Sequence, residues 1–286
     1  MAEILDYFRK ERLPSIWCPG CGHGTVTGAL IRAIDKLGLD KNNIVLVSGI
    51  GCSSRAVGYL DFDTLHTTHG RAIAFATGVK LAKPNLKVIV MTGDGDCAAI
   101  GGNHFIHAAR RNIDITTIVM NNNIYGMTSG QYSPTTPHGM LGTTAPYGNV
   151  EYAFDLCELA KAAGATYVAR ATSYHVTLLE DLIEKALQNK GFSVVEAMTQ
   201  CPTYFGRKNK IGSAVELLNW IKDGTINVKA AAALPPEKRE GKILIGELHR
   251  TERPEFTASY LEMTSKVQRT YNDYKGGNRG CELNSD

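Results

Sequence analysis

Five short apolar runs, at residues 44–48, 88–92, 115–120, 167–169 and 193–197, show almost no alternation of apolar with polar positions. A strand with one wet face alternates, whereas a strand covered on both faces does not. Between the runs, residues 25–37, 71–81, 102–110, 153–163 and 177–189 carry apolar side chains at helical spacing. Strands that alternate with helices and need cover on both sides predict an α/β fold built on a doubly wound, mostly parallel sheet. A chain of 286 residues is long enough to give one such domain a filled core. The pattern weakens after Cys201. Residues 214–222 have the spacing of a helix, and the rest, with AAALPPEKREGK, PEFTAS and a polar end, reads as a wrapping arm and a frayed tail. The expected organisation is residues 1–209 as the α/β domain and residues 210–286 as a C-terminal arm and tail.

Open parallel sheets bind ligands outside the carboxyl ends of their strands. Those ends carry GIGCSS, TGDGD, NNNIYGM and TQCP. Gly93-Asp94-Gly95-Asp96 at one strand end and Asn121-Asn122-Asn123 at the next have the chemistry of a diphosphate and Mg2+ site. Holding a diphosphate takes a divalent cation, backbone N–H groups and a helix N-terminus. Asp94 offers the cation a hard anionic oxygen, and a side-chain amide from the asparagine run offers a second. The glycines beside Asp94 let backbone and phosphate meet without a Cβ between them. Three consecutive asparagines leave the register of the amide ligand open by one.

With 43% hydrophobic residues, 21% charged residues and a formal net charge of +3, the composition indicates neither disorder nor the charge excess of a nucleic-acid binder. The opening MAEILDYFRKERLP has no apolar signal core, and no run of about 18 apolar residues occurs, so a cytoplasmic location without membrane insertion is expected. Cysteines in such a chain stay reduced, which turns attention to metal ligation. Cys18 and Cys21 form a Cys-x-x-Cys within WCPGCGHG, a pattern that alone fits a zinc half-site or a dithiol as well as a cluster. Cys52 and Cys201 each stand just past an expected strand, where both can reach that loop. Four thiolates from three loops suit an iron-sulfur cluster. Cys97 and Cys157 fall within expected helices, where a buried thiol is the default, and Cys281 lies in the tail.

CPGCGHG, GIGCSS, HTTHGRAIAFATGVKLA, the long stretch from TGDGD to NNNIYGMTSGQ, and CPTYFGRKN occur in this order. The series resembles the β subunit of 2-oxoacid:ferredoxin oxidoreductases, closest to the two-subunit 2-oxoglutarate type, over residues 13–209. The resemblance implies a sheet of the thiamine-diphosphate-binding (PP) type. It implies that Asp94, Asn122 and the backbone carbonyl of Ile124 bind Mg2+, and that Cys18, Cys21, Cys52 and Cys201 ligate one four-iron, four-sulfur (4Fe-4S) cluster. Ile50, Gly51, Cys52 and Ser53 would line the thiazolium, His69, Gly70 and Arg71 would stand near the cofactor, with His69 a catalytic candidate, and Gly126 and Met127 would follow the metal loop. The implied reaction is oxidative decarboxylation of a 2-oxoacid with coenzyme A as co-substrate, giving acyl-CoA, CO2 and reduced ferredoxin.

Thiamine enzymes activate the cofactor through a glutamate from a second α/β domain, for which this chain has no room; the expectation is an α subunit that supplies it, in an αβ or (αβ)2 assembly. No Gly-x-Gly-x-x-Gly opens a helix after an expected strand, so ferredoxin rather than NAD+ is the expected acceptor. Arg55, three residues past Cys52, is the expected reader of a distal substrate carboxylate, which favours 2-oxoglutarate and succinyl-CoA. The competing readings are the same chemistry on pyruvate or a broad range of 2-oxoacids, a non-oxidative thiamine decarboxylase subunit, and a zinc-bearing scaffold.

Overall fold

Continuous apolar runs become the middle of the sheet because each of their residues has cover on one face or the other. The computed structural model describes residues 4–277, so Cys281 lies outside the described residues. Its strands are β1 (Ile44–Ser48), β2 (Asp63–His66), β3 (Lys87–Gly93), β4 (Thr116–Asn121), β5 (Ile124–Tyr125), β6 (Gln131–Tyr132), β7 (Tyr167–Thr172), β8 (Ser193–Met198), β9 (Thr225–Asn227) and β10 (Ile243–Arg250). Eight of them form one sheet in the order β2-β1-β3-β4-β8-β7-β10-β9, while β5 and β6 make a small antiparallel pair. Neighbours in the large sheet are parallel except β10 against β7. The helices are α1 (His23–Lys36), α2 (Ala56–Tyr59), α3 (Ala72–Ala82), α4 (Gly102–Arg111), α5 (Leu156–Ala163), α6 (Val176–Gln188), α7 (Ala214–Asp223), α8 (Val228–Ala232), α9 (Pro236–Arg239) and α10 (Phe256–Gly277).

Successive strand residues point to opposite faces. Ile89 and Met91 pack with Leu30, Ile34, Leu182 and Ile183 of α1 and α6. Val88 and Val90 pack with Ile73, Phe105 and Leu156 of α3, α4 and α5. This is the doubly wound arrangement, with a core on each side of the sheet. Local chemistry sets the helix ends. The helix expected from residue 153 starts at Leu156, because the Asp155 side chain accepts from the backbone N–H groups of Cys157 and Glu158 and caps it there. Gly164, in the left-handed region at φ 96, ends the same helix.

The chain after residue 209 departs from a loose arm. Residues 214–222 do form α7, opened by a capping box between Ser213 and Glu216. Beyond it, β10 pairs with β7 and β9 pairs with β10, so this segment extends the sheet at its far edge, and α10 follows. Among the described residues no helix is long and apolar enough to cross a membrane.

Candidate functional site

Two adjoining cavities open at the carboxyl ends of β1, β3 and β4. The first, of about 170 Å3, is walled by Ile50, Gly51, Cys52 and Ser53 after β1 and by Gly93, Asp94, Gly95 and Asp96 after β3. The turn after β4 adds Asn122, Ile124, Gly126 and Met127, and His69 completes the expected set. Gly70 and Arg71 do not line it. The Gly70 backbone N–H points instead to Asp96, and the Arg71 Nη1 lies 2.7 Å from His104 Nε2 at the surface. Arg55 also stands off the wall, and its buried Nε has no hydrogen-bond partner among the described residues.

The three asparagines part company in three dimensions. Asn122 lines the first cavity, whereas Asn121 and Asn123 line another on the far side of the turn. Asn121 Nδ2 donates to Glu196 Oε1 at 2.7 Å, and its Oδ1 accepts the Asn123 N–H at 3.0 Å. Asp94 is 3% exposed, and its Oδ2 accepts hydroxyl hydrogen bonds from Ser133 at 2.6 Å and Thr135 at 2.7 Å. Burial pushes the Asp94 carboxyl above its usual value, and the two hydroxyls only partly offset this. Among the described residues no Lys, Arg or His forms an ion pair with it at 4.0 Å or less. A buried anion of this kind, on a wall it shares with Asn122 and Ile124, has the donor chemistry of a hard divalent cation site. Gly95 is required by packing, since a Cβ there would stand 2.2 Å from the Tyr125 ring.

Asp96, expected to face the cofactor, also ties the wall together. Its Oδ1 accepts from Gly70 N at 2.6 Å and Ile50 N at 3.2 Å and meets His69 Nδ1 at 2.6 Å, while its Oδ2 accepts from Thr92 Oγ1 at 2.8 Å. A carboxylate only accepts, so the His69 nitrogen facing it carries the proton. His69 is thereby oriented beside Tyr125, whose ring centroid is 5.9 Å away.

The second cavity, of about 220 Å3, brings together Cys18, Cys21, Cys52 and Cys201 with Trp17 and Tyr204. A Cβ placed on Gly126 would lie 3.5 Å from Cys52 Sγ and 3.6 Å from Cys201 Sγ, so this glycine keeps the space between two of the sulfurs clear. Burial pushes the Cys21 thiol up to about 12, against the His23 backbone N–H that lowers it, and pushes Cys52 up to about 11. Burial also raises Cys201, against the N–H groups of Phe205 and Tyr204. The sulfurs are spread more widely than one metal ion would hold them. Thiolates on a single tetrahedral zinc stand about 3.8 Å apart. Among the described residues, the group of three or more His, Cys, Asp and Glu ligand atoms within 4.8 Å of one another is Asp155, Cys157 and Glu196. None of the four cysteines belongs to it, and Arg170 already pairs with both of its carboxylates.

His23, Cys52, Asn122, Gly126 and Met127 line both cavities and form the partition between them. His23 was not singled out from the sequence, although it stands within CPGCGHG. It is 1% exposed, its Nδ1 has no partner, and burial lowers it to about 4, so the ring is neutral. Tyr125, Ser133 and Thr135 were likewise not singled out.

The fold and the strand-end motifs define a thiamine-diphosphate-binding domain, and residues 49–197 match the family described as thiamine pyrophosphate enzyme, C-terminal TPP binding domain. The chain is 57% identical over 251 residues to the 2-oxoglutarate synthase subunit KorB of Methanothermobacter marburgensis, which is 88% of each chain. It is 46% identical over 190 residues to the 2-oxoacid:ferredoxin oxidoreductase subunit beta of Saccharolobus solfataricus, covering 66% of this chain and 62% of that one. A solved 2-oxoglutarate:ferredoxin oxidoreductase from Magnetococcus marinus, with 2-oxoglutarate, coenzyme A and succinyl-CoA bound, superposes with a TM-score of 0.83 at 35% identity, covering 93% of this chain and 91% of that one. The chain belongs to the 2-oxoacid:ferredoxin oxidoreductase β-subunit family, in its 2-oxoglutarate synthase branch.

Proposed function

We propose that this subunit carries out the oxidative decarboxylation of 2-oxoglutarate with coenzyme A, releasing succinyl-CoA and CO2, and passes the electrons through one 4Fe-4S cluster to ferredoxin. The carrying observation is the shared partition: Cys52 belongs at once to the wall of the Asp94 cavity and to the four-cysteine cavity. When bound, thiamine diphosphate supplies the electron sink for loss of CO2, and the cluster supplies one-electron acceptance. Asp94, the Asn122 amide and the Ile124 carbonyl would hold Mg2+ and through it the diphosphate. Cys18, Cys21, Cys52 and Cys201 would hold the cluster, in a cavity that shares Cys52 and Asn122 with the cofactor wall. His69, fixed by Asp96, would present its other ring nitrogen to the cavity. Asp94 and Asp96 are the only carboxylates on this wall among the described residues, and both are committed. That supports an α subunit as the source of the activating glutamate, as the subunit naming of the relatives also suggests.

The 2-oxoglutarate preference rests on the names of the relatives, with pyruvate as the alternative. The test is an anaerobic assay of the chain with its partner subunit against a panel of 2-oxoacids, with ferredoxin reduction as the readout. Reduction on 2-oxoglutarate, abolished by omitting coenzyme A, is expected. Decarboxylation without ferredoxin reduction would replace this reading with a non-oxidative one.

A further inference from the structure

Asp94 ends a hydrogen-bonded relay that begins on neighbouring strands at a buried arginine. Arg170 on β7, 5% exposed, donates Nε to Glu196 Oε2 on β8 at 2.6 Å and pairs with Asp155 through its other arm. Glu196, 3% exposed, accepts Asn121 Nδ2 on its second oxygen at 2.7 Å. Asn121 turns Oδ1 toward the Asn123 N–H at 3.0 Å, and Thr135 Oγ1, with one proton to give, stands 2.9 Å from Asn121 Oδ1 and 2.7 Å from Asp94 Oδ2. Neither Arg170 nor Glu196 lines the cofactor cavity.

Glu196 dictates the direction of this relay. A carboxylate cannot donate, so Asn121 must present its NH2 group to Glu196 and its carbonyl oxygen to Asn123 and Thr135. That carbonyl closes the Asx-type turn in which Asn123 adopts a left-handed φ of 59°, and the same turn carries Asn122 to the cavity wall. With the amide turned over, the Asn123 N–H would face another donor.

We propose that the Arg170–Glu196 pair is a positioning device for the metal-binding turn. Arg170 fixes Glu196, Glu196 fixes the orientation of the Asn121 amide, and Asn121 fixes the turn bearing Asn122, with the Thr135 hydroxyl shared between Asn121 and Asp94. A buried ion pair is a poor route to stability when apolar side chains would fill the same space, and a role in specifying geometry is its better-attested use. The inference rests on the reading of Asp94 and Asn122 as holders of Mg2+ and diphosphate.

The test uses the chain complexed with its partner subunit and stripped of metal by EDTA. Mg2+-dependent binding of thiamine diphosphate is measured by calorimetry, beside the thermal midpoint of the stripped protein. In Glu196→Gln the amide oxygen is drawn to Arg170, so its NH2 faces Asn121 and turns that amide over; binding should weaken at least tenfold. Thr135→Val removes the relay hydroxyl without touching the ion pair and should weaken binding similarly, while Thr135→Ser should bind as wild type does. In the double variant Asn121→Asp with Glu196→Gln, a carboxylate at position 121 accepts from Gln and from Asn123. Every bond direction is restored at unchanged net charge, and most of the lost affinity should return. A double variant as weak as Glu196→Gln alone, or single variants that bind as wild type does, would overturn the relay. If Glu196→Gln does not fold, the contrast between Thr135→Val and Thr135→Ser decides. Absence of Mg2+-dependent binding in the wild-type complex would instead overturn the reading of the cavity itself.

Discussion

Replacing Asp96 by asparagine and by alanine measures how much of the cofactor wall one carboxylate holds in place. Asn retains one acceptor oxygen. Placed where Oδ1 now lies, it keeps the bonds from Ile50, Gly70 and His69, while its NH2 faces Thr92, whose own proton can turn to the Gly93 carbonyl 3.3 Å away. What is lost is charge assistance, about 1 kcal/mol for each of three bonds, offset in part by the lower desolvation cost of a neutral side chain, for a net loss of about 2 kcal/mol. Alanine takes the acceptor from the buried Gly70 N–H, the Ile50 N–H and the His69 ring, at about 1–3 kcal/mol each, or about 5 kcal/mol together. At roughly 2–4 °C per kcal/mol for a chain somewhat under this length, the thermal midpoint should fall by about 4–8 °C for Asp96→Asn and by about 10–20 °C for Asp96→Ala. Gly49→Ala offers an independent route to the same disturbance, because its Cβ would lie 2.1 Å from Asp96 Oδ2. Differential scanning calorimetry of the αβ complex, read beside ferredoxin reduction, is the assay. If both Asp96 variants unfold with the wild type while activity is lost, Asp96 acts on the cofactor and not as the tie between loops.

Cys201→Ser should lower bound iron and abolish ferredoxin reduction; full iron content with normal turnover would remove Cys201 from the ligand set. Arg55→Ala should reduce kcat/KM for 2-oxoglutarate selectively if the unpartnered guanidinium reads a distal carboxylate, and an equal effect on pyruvate, or none, would leave it a bystander. Lys80 Nζ pairs with Asp114 Oδ2 at 2.7 Å, both largely buried. Burial opposes ionisation of Asp114, but the hydrogen bond and charge of Lys80, the charge of Lys87 and the Gly191 N–H outweigh it and hold the carboxyl below its usual range. The lowered folded value means that this stabilisation is present above the unfolded carboxylate pKa and is lost as pH falls below about 4. Lys80→Met, which strands the carboxylate, should therefore cost about 3–5 kcal/mol at pH 7 by urea unfolding, with a smaller deficit at pH 4; a deficit independent of pH would contradict the pairing.

The strands read from the sequence are those whose residues all find cover. β1, β3, β4, β7 and β8 are continuous apolar runs because α1 and α6 cover one face and α3, α4 and α5 the other. β2, with the sequence DTLH, lies at a sheet edge with its residues exposed or half-buried, so it has no apolar signature to read. β10 was hidden for a related reason. Its apolar start breaks at Gly246, at φ 121, and its register shifts between Glu247 and His249 where it pairs with β7. Hydropathy reports cover, and partly covered strands fall outside what it can report.

The same limit governs the site. GDG, the asparagine run, Cys52 and Cys201 were legible because each stands at or just past a strand end, and Cys18 with Cys21 because the pair is local in sequence. The Ser133 and Thr135 bonds to Asp94 span 39 and 41 residues, and no pattern near either end announces them. Asp96 sits two positions from Asp94 and reads as cofactor-facing; the π-helical turn Asp96–Ile100 begins at it, and its oxygens are taken up by Ile50, His69, Gly70 and Thr92. The short helical turn Ser53–Arg55 has the opposite effect on Arg55. Residues two apart on such a turn point to different sides, so Ser53 lines the cavity and Arg55 does not. The wall thus has two buried carboxylates, at Asp94 and Asp96, and no Lys or Arg among the described residues. A diphosphate brought against Asp94 alone would meet like charge in a low-dielectric setting, where repulsion is costly. A divalent cation held by Asp94, as proposed above, would offset that repulsion, so a wall without basic side chains is compatible with an anionic cofactor.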